Sequence, residues 1–315
     1  MTNLKTTQLG STGLDITRVG FGAWAIGGGD WQFGWGPQQD DESVAAIQRA
    51  LELGVNWIDT AAAYGLGHSE EIVGRAIAGL RDRPYVFTKC SLVDDGTRHV
   101  QSSLKRDSVL AEAEASLRRL GVDAIDLYQI HWPRPEADIE EGWSALAELR
   151  EQGLVRHIGV SNFSVAQLRR IQGIAPVETI QPEYSLIDRD AEDELLPFAG
   201  QEGIGVIVYS PMGSGLLAGG MTRERIAAMP DNDWRQNDRD FTEPRLTANL
   251  ALADRIAAVA GRHGTSPGAV AVAWALRNPA VDGAITGFRR PDQVDAVIDG
   301  ARLELTGADV AEIEG

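Results

Sequence analysis

Residues 56–78 read NWIDTAAAYGLGHSEEIVGRAIA. The run starts as an apolar strand over residues 56–59, closes on Asp59, crosses small residues to Tyr64 and becomes an amphipathic helix over residues 69–78. A short apolar run followed at loop distance by a 3.6-residue pattern is one β–loop–α unit. The unit recurs on both sides, with strands predicted at residues 19–22, 56–59, 85–89, 125–130, 157–160, 179–181, 205–209 and 283–286. Helical patterns fall at residues 43–53, 69–78, 108–120, 140–152, 165–171 and 267–277, and Gly54, Gly121 and Gly153 each follow a helix end, where a left-handed cap favours glycine. This βαβα rhythm predicts a parallel sheet with helices outside it, and eight units predict a (β/α)8 TIM barrel of the α/β class. An N-terminal β-hairpin, residues 7–9 and 15–18 around Gly10-Ser11-Thr12-Gly13, is placed to plug one end. After the seventh strand, residues 210–244 are too long for an ordinary βα loop, and an extra helix follows at 246–263. A barrel of this kind accounts for residues 1–315 as a single domain.

Composition narrows the function. Hydrophobic residues make up 43% and charged residues 24% of the chain, which suits a soluble protein with a large core. A net charge of −17 repels phosphate backbones and anionic lipid, so neither nucleic acid nor a membrane is an expected partner. Neither a leader-like run near Lys5 nor an apolar span long enough to cross a bilayer is present, and the expected location is cytoplasmic. The single Cys90 forms no internal disulfide.

In a barrel the reactive groups gather where the strands end, at their C-terminal side. The second predicted strand ends in Asp59 with Tyr64 just beyond, the third in Lys89, the fourth at His131, and the fifth runs into Ser161-Asn162. A phenol is a poor acid at neutral pH, but a neighbouring ammonium favours the phenolate. Lys89 is therefore expected to lower the pKa of Tyr64, with Asp59 holding Lys89 and His131 orienting a substrate oxygen. Such a set donates a proton to a carbonyl oxygen as it becomes an alkoxide. Tyr209 ends an apolar strand where a planar cofactor could stack, and the glycine-rich turn after it suits a pyrophosphate.

Read one at a time, these residues have plainer explanations. Asp59 could be a strand-end cap, Lys89 a solvated lysine, His131 a loop histidine, and Ser161 and Asn162 a helix cap. His68, Glu70 and Glu71 resemble metal ligands by type, yet acids at a helix start favour the dipole and Ser69 can cap it, so no metal is expected. Gly20-Phe21-Gly22-Ala23-Trp24-Ala25 satisfies a dinucleotide fingerprint after a strand, but the glycine-rich segment behind it does not open a helix, which excludes a Rossmann reading.

In combination, GFGAW, WIDTAAAYGLGHSEEIVG, FTK, DLYQIHWP, IGVSNF, QPEYS, YSPMGSGLLAGG and ITGFRRPDQV resemble the aldo-keto reductase superfamily from the hairpin to about Val294. The resemblance implies a barrel using NADP(H), with NAD as the alternative, to move hydride between the nicotinamide and an aldehyde or ketone, or a sugar or alcohol in reverse. It implies Asp59, Tyr64, Lys89 and His131 as the catalytic set. Ser161, Asn162 and Gln181 would hold the carboxamide, and Tyr209 would stack on the ring. Ser210, Pro211, Met212, Gly213, Gly215 and Leu216 would take the pyrophosphate, and Gly287, Arg289 and Gln293 the adenosine end. Trp24 and Trp132 match pocket positions; Trp31 and Trp35 lie in GGGDWQFGWGP, a segment without a counterpart in the shared core, and Trp31 is assigned to the substrate pocket with them. Thr286 and Val297 depart from the family pattern near the adenine. The expected ligand is a small carbonyl, sugar or alcohol. Two other classes fit the same residues: a Schiff-base lyase using Lys89, and a non-catalytic NADPH-sensing subunit, because potassium-channel β subunits share the resemblance.

Overall fold

A computed structural model describes residues 4–315. Its eight barrel strands are β1 (Val19–Gly22), β2 (Trp57–Asp59), β3 (Tyr85–Cys90), β4 (Ile125–Ile130), β5 (Val155–Ser161), β6 (Thr179–Gln181), β7 (Gly205–Val208) and β8 (Gly283–Gly287). Every neighbouring pair is parallel, and β8 pairs with β1 to close the ring. All eight strands lie within two residues of the positions expected from the sequence.

Helices α1 (Asp40–Glu52), α2 (His68–Ile77), α3 (Arg106–Leu120), α4 (Ile139–Glu151), α5 (Val165–Gln172) and α6 (Leu195–Glu202) surround the barrel. The long connection after β7 contains α7 (Arg223–Ala227) and three 3₁₀ turns; α8 (Arg245–His263), α9 (Pro267–Leu276), α10 (Pro291–Val297) and α11 (Gly307–Glu314) complete the chain. Local chemistry sets several ends. Ser164 and Gln167 form a capping box on α5, Ser266 caps α9 ahead of Pro267, and Gly121 and Gly264 close α3 and α8 in the left-handed region. α6, α7, α10 and α11 were absent from the expected helices: each has at most eight residues, and α6 and α11 lack the clear apolar stripe that made the equally short α5 legible. Ser69 does not cap α2; its Oγ bonds the Ala23 carbonyl at 2.8 Å and the Thr60 hydroxyl at 2.9 Å, tying two strand ends together.

The hairpin forms from Thr6–Gln8 and Asp15–Thr17. Its Leu9, Leu14 and Ile16 pack with Trp57, Phe87, Leu127, Ile207 and Ile285 into one buried cluster that fills the barrel from below. Gly20 makes room for this filling, because a Cβ there would lie 2.2 Å from the Trp57 indole. A second hairpin, Leu92–Asp94 with Val100–Ser102, rises beside the mouth.

Candidate active site

Along β2, β3, β4 and β7 the buried apolar residues Trp57, Phe87, Leu127 and Ile207 fill the interior. Strand periodicity puts the residue two positions on over the same face. Those residues are Asp59, Lys89, Gln129 and Tyr209, so the polar layer at the mouth is the next layer of the barrel filling.

The Lys89 ammonium donates to Asp59 Oδ1 at 2.5 Å, to the Thr60 carbonyl at 2.9 Å and to the Tyr64 hydroxyl at 3.4 Å. Three acceptors match its three N–H groups, which is how a cation only 1% exposed is tolerated there. Asp59 Oδ2 accepts from Gln181 Nε2 at 2.9 Å. The His131 ring meets Tyr64 edge to face at 5.6 Å between centroids. All four residues expected to be catalytic therefore stand in one group.

Their protonation differs from the sequence expectation at one point. Burial, reinforced by the negative charge of Asp59, pushes the Tyr64 phenol well above its ordinary value, so Lys89 does not lower it. The reason is geometric: Asp59 sits closer to the ammonium than the phenol does, and the ion pair presents little net positive charge. Burial, reinforced by Lys89, also holds His131 well below the usual histidine range, and the imidazole is neutral.

Around this group runs a connected set of polar contacts. Ser161 Oγ donates to the Gln181 carbonyl at 2.7 Å, Asn162 Nδ2 to the His131 carbonyl at 2.9 Å, and the Tyr209 hydroxyl to Asn162 Oδ1 at 2.8 Å. Asn162 adopts a left-handed backbone, φ 63°, which turns the chain abruptly off β5. Gln129 Nε2 is buried beside Gln181 with no acceptor among the described residues. The sequence reading passed over Gln129, although the alternation in "DLYQIH" places it on the face of Leu127.

Beyond Tyr209, residues Ser210, Gly213, Ser214 and Gly215 all have positive φ, so the turn that also carries Pro211, Met212 and Leu216 folds as a tight concave backbone. Arg235 lies against it, its guanidinium donating to the Ser214 carbonyl at 3.3 Å, pairing with Asp233 at 2.6 Å and stacking 4.4 Å over Trp35. Arg289 stands above β8, but its guanidinium is engaged by the loop after β1, donating to Gln38 Oε1 at 2.7 Å, to the Trp35 carbonyl at 3.1 Å and to the Pro37 carbonyl. Gln293 Oε1 accepts from the Arg289 backbone N–H at 2.7 Å. Gly287 is exposed beside them.

The tryptophans separate into two groups. Trp24 and Trp31 lie 6.2 and 6.3 Å from the Tyr64 ring. Trp234, from the long connection, stacks on Trp24 at 5.1 Å, and Trp35 closes on both edge to face. The indole N–H groups of Trp31, Trp35 and Trp234 are buried without an acceptor among the described residues. Trp132 is held from the other side, its backbone N–H donating to Ser91 Oγ at 3.2 Å while Arg134 stacks 5.0 Å over its ring. Nothing in the sequence pattern marked Trp234 or Arg235, which sit in a polar, aperiodic stretch. The hairpin at 92–102 did carry a signal, the Asp95-Gly96 turn. His68 bonds Asp40 at 2.9 Å, while Glu70 accepts from Thr88 and Arg119 at 2.6 Å each. No group of three His, Cys, Asp or Glu side chains among the described residues is arranged to hold a metal ion.

A closed (β/α)8 barrel carries the Asp59–Lys89–Tyr64–His131 group at its C-terminal mouth, and comparison with known proteins places the chain among oxidoreductases. The chain belongs to the aldo/keto reductase family, whose model matches residues 18–315. It is similar to the aldo-keto reductase YhdN of Bacillus subtilis, 39% identical over 98% of this chain and 92% of that one. It is also similar to an NADH-specific methylglyoxal reductase of Escherichia coli, 33% identical over 97% and 96% of the two chains. Among solved structures, the glycerol dehydrogenase AKR11B4 of Gluconobacter oxydans superposes with a TM-score of 0.87 at 38% identity, covering 98% of this chain and 94% of that one.

Proposed function

We propose that the chain is an NADP(H)-dependent reductase of small aldehydes or ketones, running as a sugar or alcohol dehydrogenase in reverse. The observation that carries this reading is Lys89 placed between Asp59 and the Tyr64 hydroxyl, with neutral His131 edge-on to the phenol.

The residues at the mouth suit a nicotinamide dinucleotide. The unpartnered amide of Gln129 joins Ser161, Asn162 and Gln181 as groups able to hold the carboxamide, and Tyr209 offers the planar face. The positive-φ turn over residues 210–216 would take the pyrophosphate, with Arg235 as an added cation, and Gly287, Arg289 and Gln293 the adenosine end. Bound nicotinamide supplies or takes the hydride. Tyr64, kept protonated by burial, gives its proton to the carbonyl oxygen as that oxygen becomes an alkoxide. His131 donates a hydrogen bond to the same oxygen from a neutral ring, and the Lys89 ammonium holds the phenol oxygen in place by a 3.4 Å hydrogen bond. Asp59 and the Thr60 carbonyl fix Lys89 in place, although burial lowers the Lys89 pKa.

On the substrate side, Trp24, Trp31 and Trp132 with Trp234 make aromatic walls, and buried indole N–H groups await acceptors. That combination suits a small ligand bearing hydroxyl or carbonyl oxygens on a carbon frame. The relatives divide between an NADH-specific methylglyoxal reductase and a glycerol dehydrogenase by name. Titrating the protein with NADPH and NADH by tryptophan fluorescence quenching, then assaying a carbonyl panel, tests the proposal. Tight NADPH binding with turnover supports it, and binding of neither cofactor overturns it.

A further inference from the structure

The barrel end opposite Tyr64 holds a cleft of about 460 Å³ between the N-terminal hairpin, the last turn of α9 and residues 300–305. Its charged lining is Lys5, Arg18, Arg277 and Arg302 against one acid, Glu304. The chain as a whole has 46 acidic and 29 basic side chains, so a cleft with four cations to one carboxylate runs against the composition. Glu304 neutralises little, being exposed and 3.9 Å from an equally exposed Lys5.

Arginines elsewhere on the surface are mostly tied to carboxylates, as Arg49 is to Asp295, Arg106 to Glu148 and Arg262 to Glu312. Among the described residues, Arg18, Arg277 and Arg302 form no such pair. Arg18 is half-buried, and its one acceptor among the described residues is the Leu276 carbonyl at the end of α9. Asp282, the acid nearest in its field, instead accepts the Val206 and Gly10 backbone N–H groups. Capping α9 explains one of the five Arg18 donors. It leaves a partly desolvated guanidinium with no carboxylate in direct contact and only the more distant charge of Asp282 to offset it, an arrangement an arriving anion would relieve. Ala273, Leu276, Leu303 and Leu305 provide apolar wall between the cations.

We infer that this cleft is a second ligand site, one that binds a small phosphorylated organic anion at the N-terminal face of the barrel. Guanidinium forks match phosphate oxygens in pairs, three of them suit a dianion, and the volume lies in the range of small-molecule sites. The ligand would act apart from the chemistry, since every residue assigned to the reaction lies at the other mouth.

The probe is inorganic pyrophosphate, read by thermal unfolding at constant ionic strength set with KCl. Wild type is expected to gain about 5 °C once the anion exceeds its Kd about a hundredfold. The double variant R277A/R302A, which removes two exposed side chains without touching the core, should lose that gain. It should still bind NADPH as wild type does. The variant R289A controls for pyrophosphate entering at the adenosine end of the cofactor site and should keep the full gain. An equal shift in R277A/R302A, a shift lost in R289A, or no shift beyond the KCl reference would each overturn the assignment.

Discussion

At the residue scale, the proton chemistry depends on one phenol and its surroundings. Tyr64→Phe removes the proton and little else, because the ring keeps its contacts with His131 and Trp24. Turnover should fall by about three orders of magnitude while NADPH quenching changes less than about twofold; retention of most of the rate would remove Tyr64 from its role. The raised pKa of Tyr64 fixes the sign of the pH dependence. Reduction uses the protonated phenol and should stay level from neutral pH into the alkaline range, whereas oxidation uses the phenolate and should still be climbing at the alkaline limit of folding. Initial rates in both directions across pH check this.

Glu112 gives a separate residue-scale prediction. Its carboxyl sits behind the mouth, accepts the Ser91 N–H at 3.0 Å, and is pushed up by burial to about 8. In the unfolded chain it titrates near 4.5, so between those two values the folded state holds the extra proton and stability falls as pH rises. Glu112→Gln removes that loss. The urea midpoint should therefore drop less between mildly acidic and mildly alkaline pH in the variant than in wild type; parallel curves would mean Glu112 is already ionised when folded.

At the element scale, two loops decide how the mouth is set. Gly65 follows Tyr64 with φ 63°, and a Cβ there would lie 2.1 Å from the Gly27 carbonyl. The loops after β1 and β2 touch backbone to backbone, and this contact positions the phenol. Gly65→Ala should cost about 1–3 kcal/mol and lower kcat beyond what unfolding explains, measured by melting and by rate at a temperature where both proteins are folded. The other loop engages Arg289 through three acceptors of residues 35–38. An adenosine 2′-phosphate would compete with those acceptors, which predicts only modest preference for NADPH over NADH. Gln38→Ala removes one acceptor and should raise that preference by about fivefold, the worth of one hydrogen bond. An unchanged ratio of the two dissociation constants would show that the loop does not compete.

The same scale explains what the sequence made legible. The strand ends and their polar residues could be placed because period-two burial and the βα rhythm are local signals, and Asp59, Lys89 and His131 each close an apolar run. The sign of the Tyr64 shift could not, because it depends first on how deeply the phenol is buried and then on the Asp59 charge paired with Lys89. The engagement of Arg289 was equally hidden, since Gln38 lies 251 residues away in the chain. Trp234 carried no periodic mark at all.

At the scale of the whole molecule, the barrel is closed from below by the hairpin and partly covered above by two loops distant in sequence. The Trp234 backbone N–H donates to the Gly34 carbonyl at 3.2 Å, the Asn232 side-chain amide to the Gly29 carbonyl at 3.2 Å, and the Trp234 ring stacks on Trp24. The long connection after β7 thus joins the loop after β1 across the mouth. These contacts lie outside the barrel filling, so removing them should alter access more than stability. Trp234→Ala is expected to raise the substrate KM and the NADPH dissociation rate several-fold, with the melting temperature nearly unchanged. Stopped-flow displacement of NADPH reads the rate directly. A dissociation rate equal to wild type would mean that the stacked pair walls the substrate alone and that the cofactor leaves by a path the two loops do not cover.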